Sequence, residues 1–149
     1  GTMHSRDAAA TLDTLRHYEL PDHELGAVLA IVVAQRLVRT LCPECRTREA
    51  PTDDETAWLR SIDAEVPEEV WHPRGCDACY QLGYAGRTGV FEIWQITDED
   101  RRRIFEHDNA DVLRRSLRDR GSPNLYQDGL RKAAAGITSI EEVAAIRSV

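Results

Sequence analysis

Lysine is nearly absent from this 149-residue chain: Lys132 stands alone beside eighteen arginines. A phosphate-cradling loop of the G-x-x-x-x-G-K-[ST] kind needs glycines ahead of its lysine, and Lys132 follows Asp128-Gly129-Leu130-Arg131. A nucleotide site built on a Walker A of this chain is thereby excluded. Long apolar runs are also missing. The longest, over 25–34, has ten residues, about half of the ~20 that span a bilayer. Gly1-Thr2-Met3-His4-Ser5 shows no basic stretch leading into an apolar one, so no secretory signal is expected there. Positive charge is in deficit, with 19 Lys+Arg against 26 Asp+Glu and a net charge of −7. That balance argues against a sequence-independent nucleic-acid binder, which needs cationic surface to displace counterions. Internal repeats and low-complexity segments are absent too.

Cysteines are few, but their arrangement is specific. Cys42-Pro43-Glu44-Cys45 and Cys76-Asp77-Ala78-Cys79 are separated by thirty residues. A C-x-x-C turn brings two sulfurs to one side of a tight loop, and two such turns supply the four thiolates of a closed tetrahedral zinc site. Pro43 and Gly75 suit the sharp backbone of such loops. Without a secretory signal the chain is expected in the cytoplasm, where reducing conditions make cysteine pairs metal ligands more often than disulfides. Cys42, Cys45, Cys76 and Cys79 are therefore the expected ligands of a structural Zn²⁺ that keeps no open position for catalysis. Free buried thiols, a disulfide and an iron–sulfur cluster are the alternatives, and His72 is an alternative ligand near the second pair.

The rest of the pattern predicts an α+β chain that is mostly helical. A helix is expected over 8–17, broken at Pro21-Asp22. A long helix over 25–41 is then marked by Leu25, Val28, Leu29, Val32, Val33, Leu37, Val38 and Leu41, apolar nearly all round at first. Such a helix needs cover on several sides, so residues 1–41 read as part of a larger layered domain. Residues 42–96 form the cysteine-bounded middle. There Thr52 and Glu55 fit a capping box at a helix start. Tyr84, Gly86, Arg87 and Gly89 read as a turn into a strand over 87–96, which is rich in β-branched and aromatic residues. Residues 97–149 read as short helices over 98–105, over 110–120 between Asn109 and Gly121, over 125–135 up to Gly136, and from Ser139 onward with Glu142 as its capping-box partner. Trp58, Trp71 and Trp94 are expected as core anchors. Arg101, Arg102 and Arg103, with Arg114, Arg115, Arg118 and Arg120, read as a solvated face balanced by acids, the sharper alternative being a contact to a neighbouring subunit or a membrane-side partner.

Five segments, in order, resemble the C-terminal part of the type II secretion and type IV pilus assembly ATPases. Thr2-Met3-His4-Ser5-Arg6-Asp7-Ala8 is similar to the family's His box, usually T-L-H-T-N-D-A. Ala34-Gln35-Arg36-Leu37-Val38-Arg39 leads into Leu41-Cys42-Pro43-Glu44-Cys45, as A-Q-R-L-V-R leads into the family's zinc subdomain. Gly75-Cys76-Asp77-Ala78-Cys79, with Gly83-Tyr84-Ala85-Gly86-Arg87-Thr88-Gly89-Val90-Phe91-Glu92, resembles G-C-x-x-C … G-Y-x-G-R-x-G-x-x-E. Asp128-Gly129-Leu130-Arg131-Lys132 and Gly136-Ile137-Thr138-Ser139-Ile140-Glu141-Glu142-Val143 resemble the closing D-G-L-x-K … G-x-T-S-x-E-E-V. Departures occur at Arg6, where asparagine is usual, and at Thr14, where arginine is common.

The resemblance implies a C-terminal remnant of a RecA-like ATPase domain over 1–41, a tetracysteine zinc subdomain over 42–96 and a small helical subdomain over 97–149. It places the Walker A, Asp box and Walker B upstream of the first residue, so that ATP and Mg²⁺ belong to the parent protein and the chain alone is expected to be inactive. In that parent, His4, Gln35 and Arg36 would be nucleotide-proximal. The resemblance also implies a homo-oligomer, hexameric in the parent, that meets inner-membrane secretion or pilus platform proteins from the cytoplasmic side. A stand-alone zinc-stapled adaptor for such a platform, without ATPase activity, is the alternative.

Overall fold

The computed structural model describes residues 5–146. Its elements are α1 (Ala10–His17), α2 (Asp22–Val28), β1 (Ile31–Leu41), β2 (Thr47–Glu49), α3 (Asp53–Ser61), β3 (Val70–His72), a 3₁₀ turn (Asp77–Cys79), β4 (Tyr84–Gln95), α4 (Asp98–Phe105), α5 (Ala110–Asp119), α6 (Leu125–Ala134) and α7 (Ile140–Ala144). The architecture is mixed α and β, and its two longest elements are strands. β1 pairs with β4, and β2 with β3. The β1–β4 pair is antiparallel, because Ile96 N–H reaches Ala30 O (3.0 Å) beyond one end while Cys42 N–H reaches Gly83 O (2.9 Å) beyond the other.

The helix expected over 25–41 does not form. Only α2 is helical, and the chain turns extended at Leu29 (φ −68°, ψ 126°) before β1 begins. In β1 the even positions Val32, Ala34 and Val38 are buried, whereas Ile31, Val33, Gln35 and Leu37 are exposed. That two-residue period belongs to a strand. A run that is apolar at almost every position satisfies helical and strand templates alike, and β-branched Ile31-Val32-Val33 tips it to the extended form. β4 also begins earlier than the sequence suggests. Tyr84, Gly86, Arg87 and Gly89 lie within it rather than in a turn, with Gly86 at φ +84° inside the strand.

The chain divides into two compact units, with cuts after Gln35, Val90 and Leu125. The first draws on 1–35 and 91–125. Its core holds Leu12, Leu25, Trp94, Ile104 and Leu113. Helix α2 lies close on α4, since a Cβ at Gly26 would stand 2.9 Å from the Phe105 ring. α4 starts with a capping box between Thr97 and Asp100, and α5 with Asn109 accepting from the amides of Asp111 and Val112. Asp100 is fully buried and takes both guanidinium nitrogens of Arg120 at 2.9 and 3.0 Å. Burial opposes its charge, but the Thr97 amide and Arg120 hold its carboxyl below the usual range.

The second unit draws on 36–90 and 126–147, with Leu41, Leu59, Val90 and Val143 in its core. The capping box between Thr52 and Glu55 opens α3 as expected. α6 ends in a Schellman motif: Gly136 (φ +73°) donates to Ala133 O at 2.9 Å, and Ile137 donates to Lys132 O at 2.9 Å. Ser139 caps α7 by accepting from Glu142 N–H at 3.2 Å. The reciprocal half of the expected capping box is missing, because the Glu142 carboxylate turns to Arg39. It accepts from the Arg39 backbone (2.7 Å), Nε (2.9 Å) and Nη2 (2.7 Å). Burial works against this carboxylate, yet the Arg39 donors hold it below the usual range. The same guanidinium lies 3.9 Å over the Tyr84 ring, whose hydroxyl is 2.8 Å from Ser139 Oγ.

Candidate metal centre

Two chain reversals carry the cysteines. The first follows β1 directly: Cys42 heads a turn in which Cys45 N–H (3.4 Å) and Arg46 N–H (3.1 Å) approach the Cys42 carbonyl. The second begins at extended Cys76, passes through the 3₁₀ turn to Cys79, and then reverses through Tyr80 and Gln81, both left-handed at φ 53° and 62°. Gln81 N–H returns to Cys76 O at 2.8 Å. Glycine is required on both sides of this loop. Gly75 sits at φ +112°, where a Cβ would meet Gln81 O at 2.8 Å, and Gly83 at φ +75°, where one would meet Pro73 at 2.5 Å.

What brings the reversals together is the β2–β3 ladder, which pairs Thr47 with His72, Arg48 with Trp71 and Glu49 with Val70. Thirty intervening residues are thus zipped at their base, two residues past Cys45 and four short of Cys76. The four Sγ atoms all lie within 4.8 Å of one another. Individual separations are 3.9 Å for Cys42–Cys76, 3.8 Å for Cys45–Cys79 and 3.8 Å for Cys76–Cys79. Four thiolates at about 2.3 Å from a tetrahedral ion stand about 3.8 Å apart, so the donor set fits zinc in number, softness and spacing. A disulfide needs about 2.05 Å, and all four cysteines are free.

The surroundings favour thiolate at Cys79 and oppose it at Cys76. Backbone amides of Gly75, Cys76 and Gly83 point at sulfur, each at 3.2 Å: the first at Cys45, the other two at Cys79. Burial pushes the Cys79 thiol up, but the Cys76 and Gly83 amides and the neighbouring sulfurs outweigh it and hold it near 6. Burial dominates at Cys76 and pushes that thiol up to about 11. A bare cluster of this kind retains protons on some sulfurs, and a divalent ion displaces them. His72 is no part of the cluster. Its Nδ1 is 3.7 Å from Glu55 Oε1 and its Nε2 is 3.4 Å from Ala50 O.

The other sequence-derived candidates scatter. His4 lies outside the described residues. Gln35 and Arg36 are neighbours in the middle of β1, Gln35 exposed and Arg36 half-buried, and not at a helix end. The arginines are largely matched by acids. Arg102 and Arg103 pair with Glu99, Arg114 with Asp7 and Asp111, and Arg120 with Asp100. One buried carboxylate, the closing glutamate of the G-Y-x-G-R-x-G-x-x-E segment, was given no role from sequence. Glu92 on β4 is pushed up by burial while it accepts from Ala8 N–H at 3.0 Å. Among the described residues no helix is long and apolar enough to cross a membrane.

The sequence that folds this way matches a known family along nearly the whole chain. Residues 1–145 match the Type II/IV secretion system protein family, and the chain belongs to it. Type II secretion system protein E of Aeromonas hydrophila is 35% identical over 142 residues, covering 95% of this chain and 28% of that protein. The protein of the same name from Dickeya dadantii is 38% identical over the same shares. The type IV pilus assembly ATPase PilB of Thermus thermophilus is 33% identical over 97% of this chain and 16% of its own length. The chain therefore spans less than a third of the length of these relatives, 28% in the first case.

Proposed function

We propose that this chain is the C-terminal part of an ATPase that drives type II secretion or type IV pilus assembly, and that its cysteine centre holds one structural zinc ion. The observation that carries the reading is a family match over residues 1–145 together with relatives named for secretion and pilus assembly. The four-sulfur geometry supports the metal. Zinc bound there supplies no chemistry to a substrate, since four protein ligands fill its shell. It contributes folding free energy, on the order of 10–16 kcal/mol in small zinc modules.

In the parent, His4, Gln35 and Arg36 face the nucleotide, and hydrolysis is performed by groups outside this chain. Ile31, Val33 and Ile93 stand exposed on the paired strands at 57%, 50% and 50%, an apolar surface of the kind a larger layered domain covers. The parent works as a hexamer at the cytoplasmic side of the inner membrane against a platform protein. Similarity to motors along the full chain favours this over a stand-alone adaptor. Two tests follow from the reading. The chain alone, mixed with ATP and Mg²⁺, releases no phosphate above background, and turnover would overturn the proposal. The reading frame upstream continues into a G-x-x-x-x-G-K-[ST] motif, whereas a frame that opens at Met3 with its own start signals would support the adaptor.

A further inference from the structure

The first cysteine turn is flanked by two residues that grip consecutive carbonyls of the α6–α7 connection. Leu41, just before Cys42, donates its amide to Ile137 O at 2.9 Å. Arg46, just after Cys45, donates Nη1 to Gly136 O. Around this pair the contact is close. The Arg46 guanidinium lies 4.7 Å over the Trp71 ring, and a Cβ at Gly136 would stand 2.9 Å from Arg46 Nη1 and 3.0 Å from Trp71. Thr138 Oγ1 adds a bond to Arg39 O at 2.7 Å.

Neighbouring carbonyls can be held together only while the turn that sets the spacing of Leu41 and Arg46 keeps its shape. Cys42 and Cys45 are the residues whose shared ion would fix that turn. We propose that the metal-closed first turn is the socket for the α6–α7 connection, so that release of the ion undocks α6 and α7 while α4 and α5 stay folded. Arg46 is the positioning residue, acting through Gly136 and Trp71 and not through the metal. The proposal rests on the reading of the cysteine centre as a zinc site, and it adds a consequence: metal occupancy is reported about a hundred residues along the chain, at the C-terminal helices.

Hydrogen exchange on the 149-residue chain tests it, read at the Leu41 amide and over 125–144, before and after zinc is stripped by a chelator. Stripping is expected to speed exchange at these amides by at least about tenfold, the loss of one or two net hydrogen bonds, with little change over 98–119. In zinc-loaded Arg46→Ala the same amides accelerate although zinc content stays at one per chain, and Arg46→Lys recovers part of the protection. Unchanged exchange over 125–144 in stripped protein, or in zinc-loaded Arg46→Ala, overturns the socket while leaving the zinc site standing. A chain that binds no zinc overturns both.

Discussion

The two compact units solve the problem of a small core differently. In the first, α1, α2, α4 and α5 accompany a core that holds Trp94 and Ile104, and an ion pair between buried Asp100 and the exposed Arg120 joins the start of α4 to the end of α5. In the second, three-residue strands and a five-residue helix are too short to hold each other. Beside them stand four sulfurs drawn to one point and the Arg39–Glu142 and Arg46–Gly136 links. Local elements suffice where apolar area is available. In the second unit the proposed zinc ion adds a cross-link to a core that already holds Leu41, Leu59, Val90 and Val143.

The largest effect that separates the units is loss of a ligand. Cys76→Ser is expected to abolish zinc binding and to unfold the second unit, while circular dichroism retains the helical signal of the first; retention of one zinc per chain with an unchanged melting curve would erase the contrast. Acid should separate them next. Protons compete with the ion for thiolates, so the second unit fails first on acidification. The Asp100 carboxyl is lowered in the folded state, so its contribution is present above the unfolded value of 3.8 and is lost only as pH falls through the still lower folded value. Tryptophan fluorescence and zinc release followed from pH 7 downward should give two steps in that order.

Smaller and confined to the first unit is Asp100→Ala, which removes half of a capping box and the buried partner of the exposed Arg120. Losing these hydrogen bonds costs about 2–3 kcal/mol, measurable by urea denaturation, with zinc content unaffected. The smallest test is a matched pair of helix ends. Gly121 and Gly136 both close Schellman motifs, at φ +72° and +73°, but Gly121 has open space where a Cβ would go and Gly136 has Arg46 and Trp71. Gly121→Ala is expected to cost about 1–2 kcal/mol from left-handed backbone alone. Gly136→Ala should cost more, and equal losses would mean that the Gly136 packing contributes nothing.

Much of this was legible in the residues. Capping signals are local and chemically explicit, so Thr52 with Glu55, Asn109, Gly121 and Gly136 marked helix ends that the structure keeps, and α4 occupies 98–105 as expected. The cysteine spacing was equally explicit. Two things were not. The run over 25–34 is apolar throughout, and periodicity is silent when every position satisfies it; pairing with strand β4 decided the conformation of β1. The β2–β3 ladder is three residues long on each side, too short to leave a pattern, yet it converts a thirty-residue spacer into a clasp. Arg46, Trp71 and Glu142 gain their roles only through that folding, as contacts between residues 65 to 103 positions apart or across the clasp.

Whether the four sulfurs close on an ion decides how the second unit is held. Elemental analysis of the purified chain after exhaustive dialysis, paired with a melting curve before and after chelation, addresses that directly. One zinc per chain and a large fall in melting temperature on chelation are expected; a metal-free chain that melts at an unchanged temperature would mean that no ion holds the cysteine centre together.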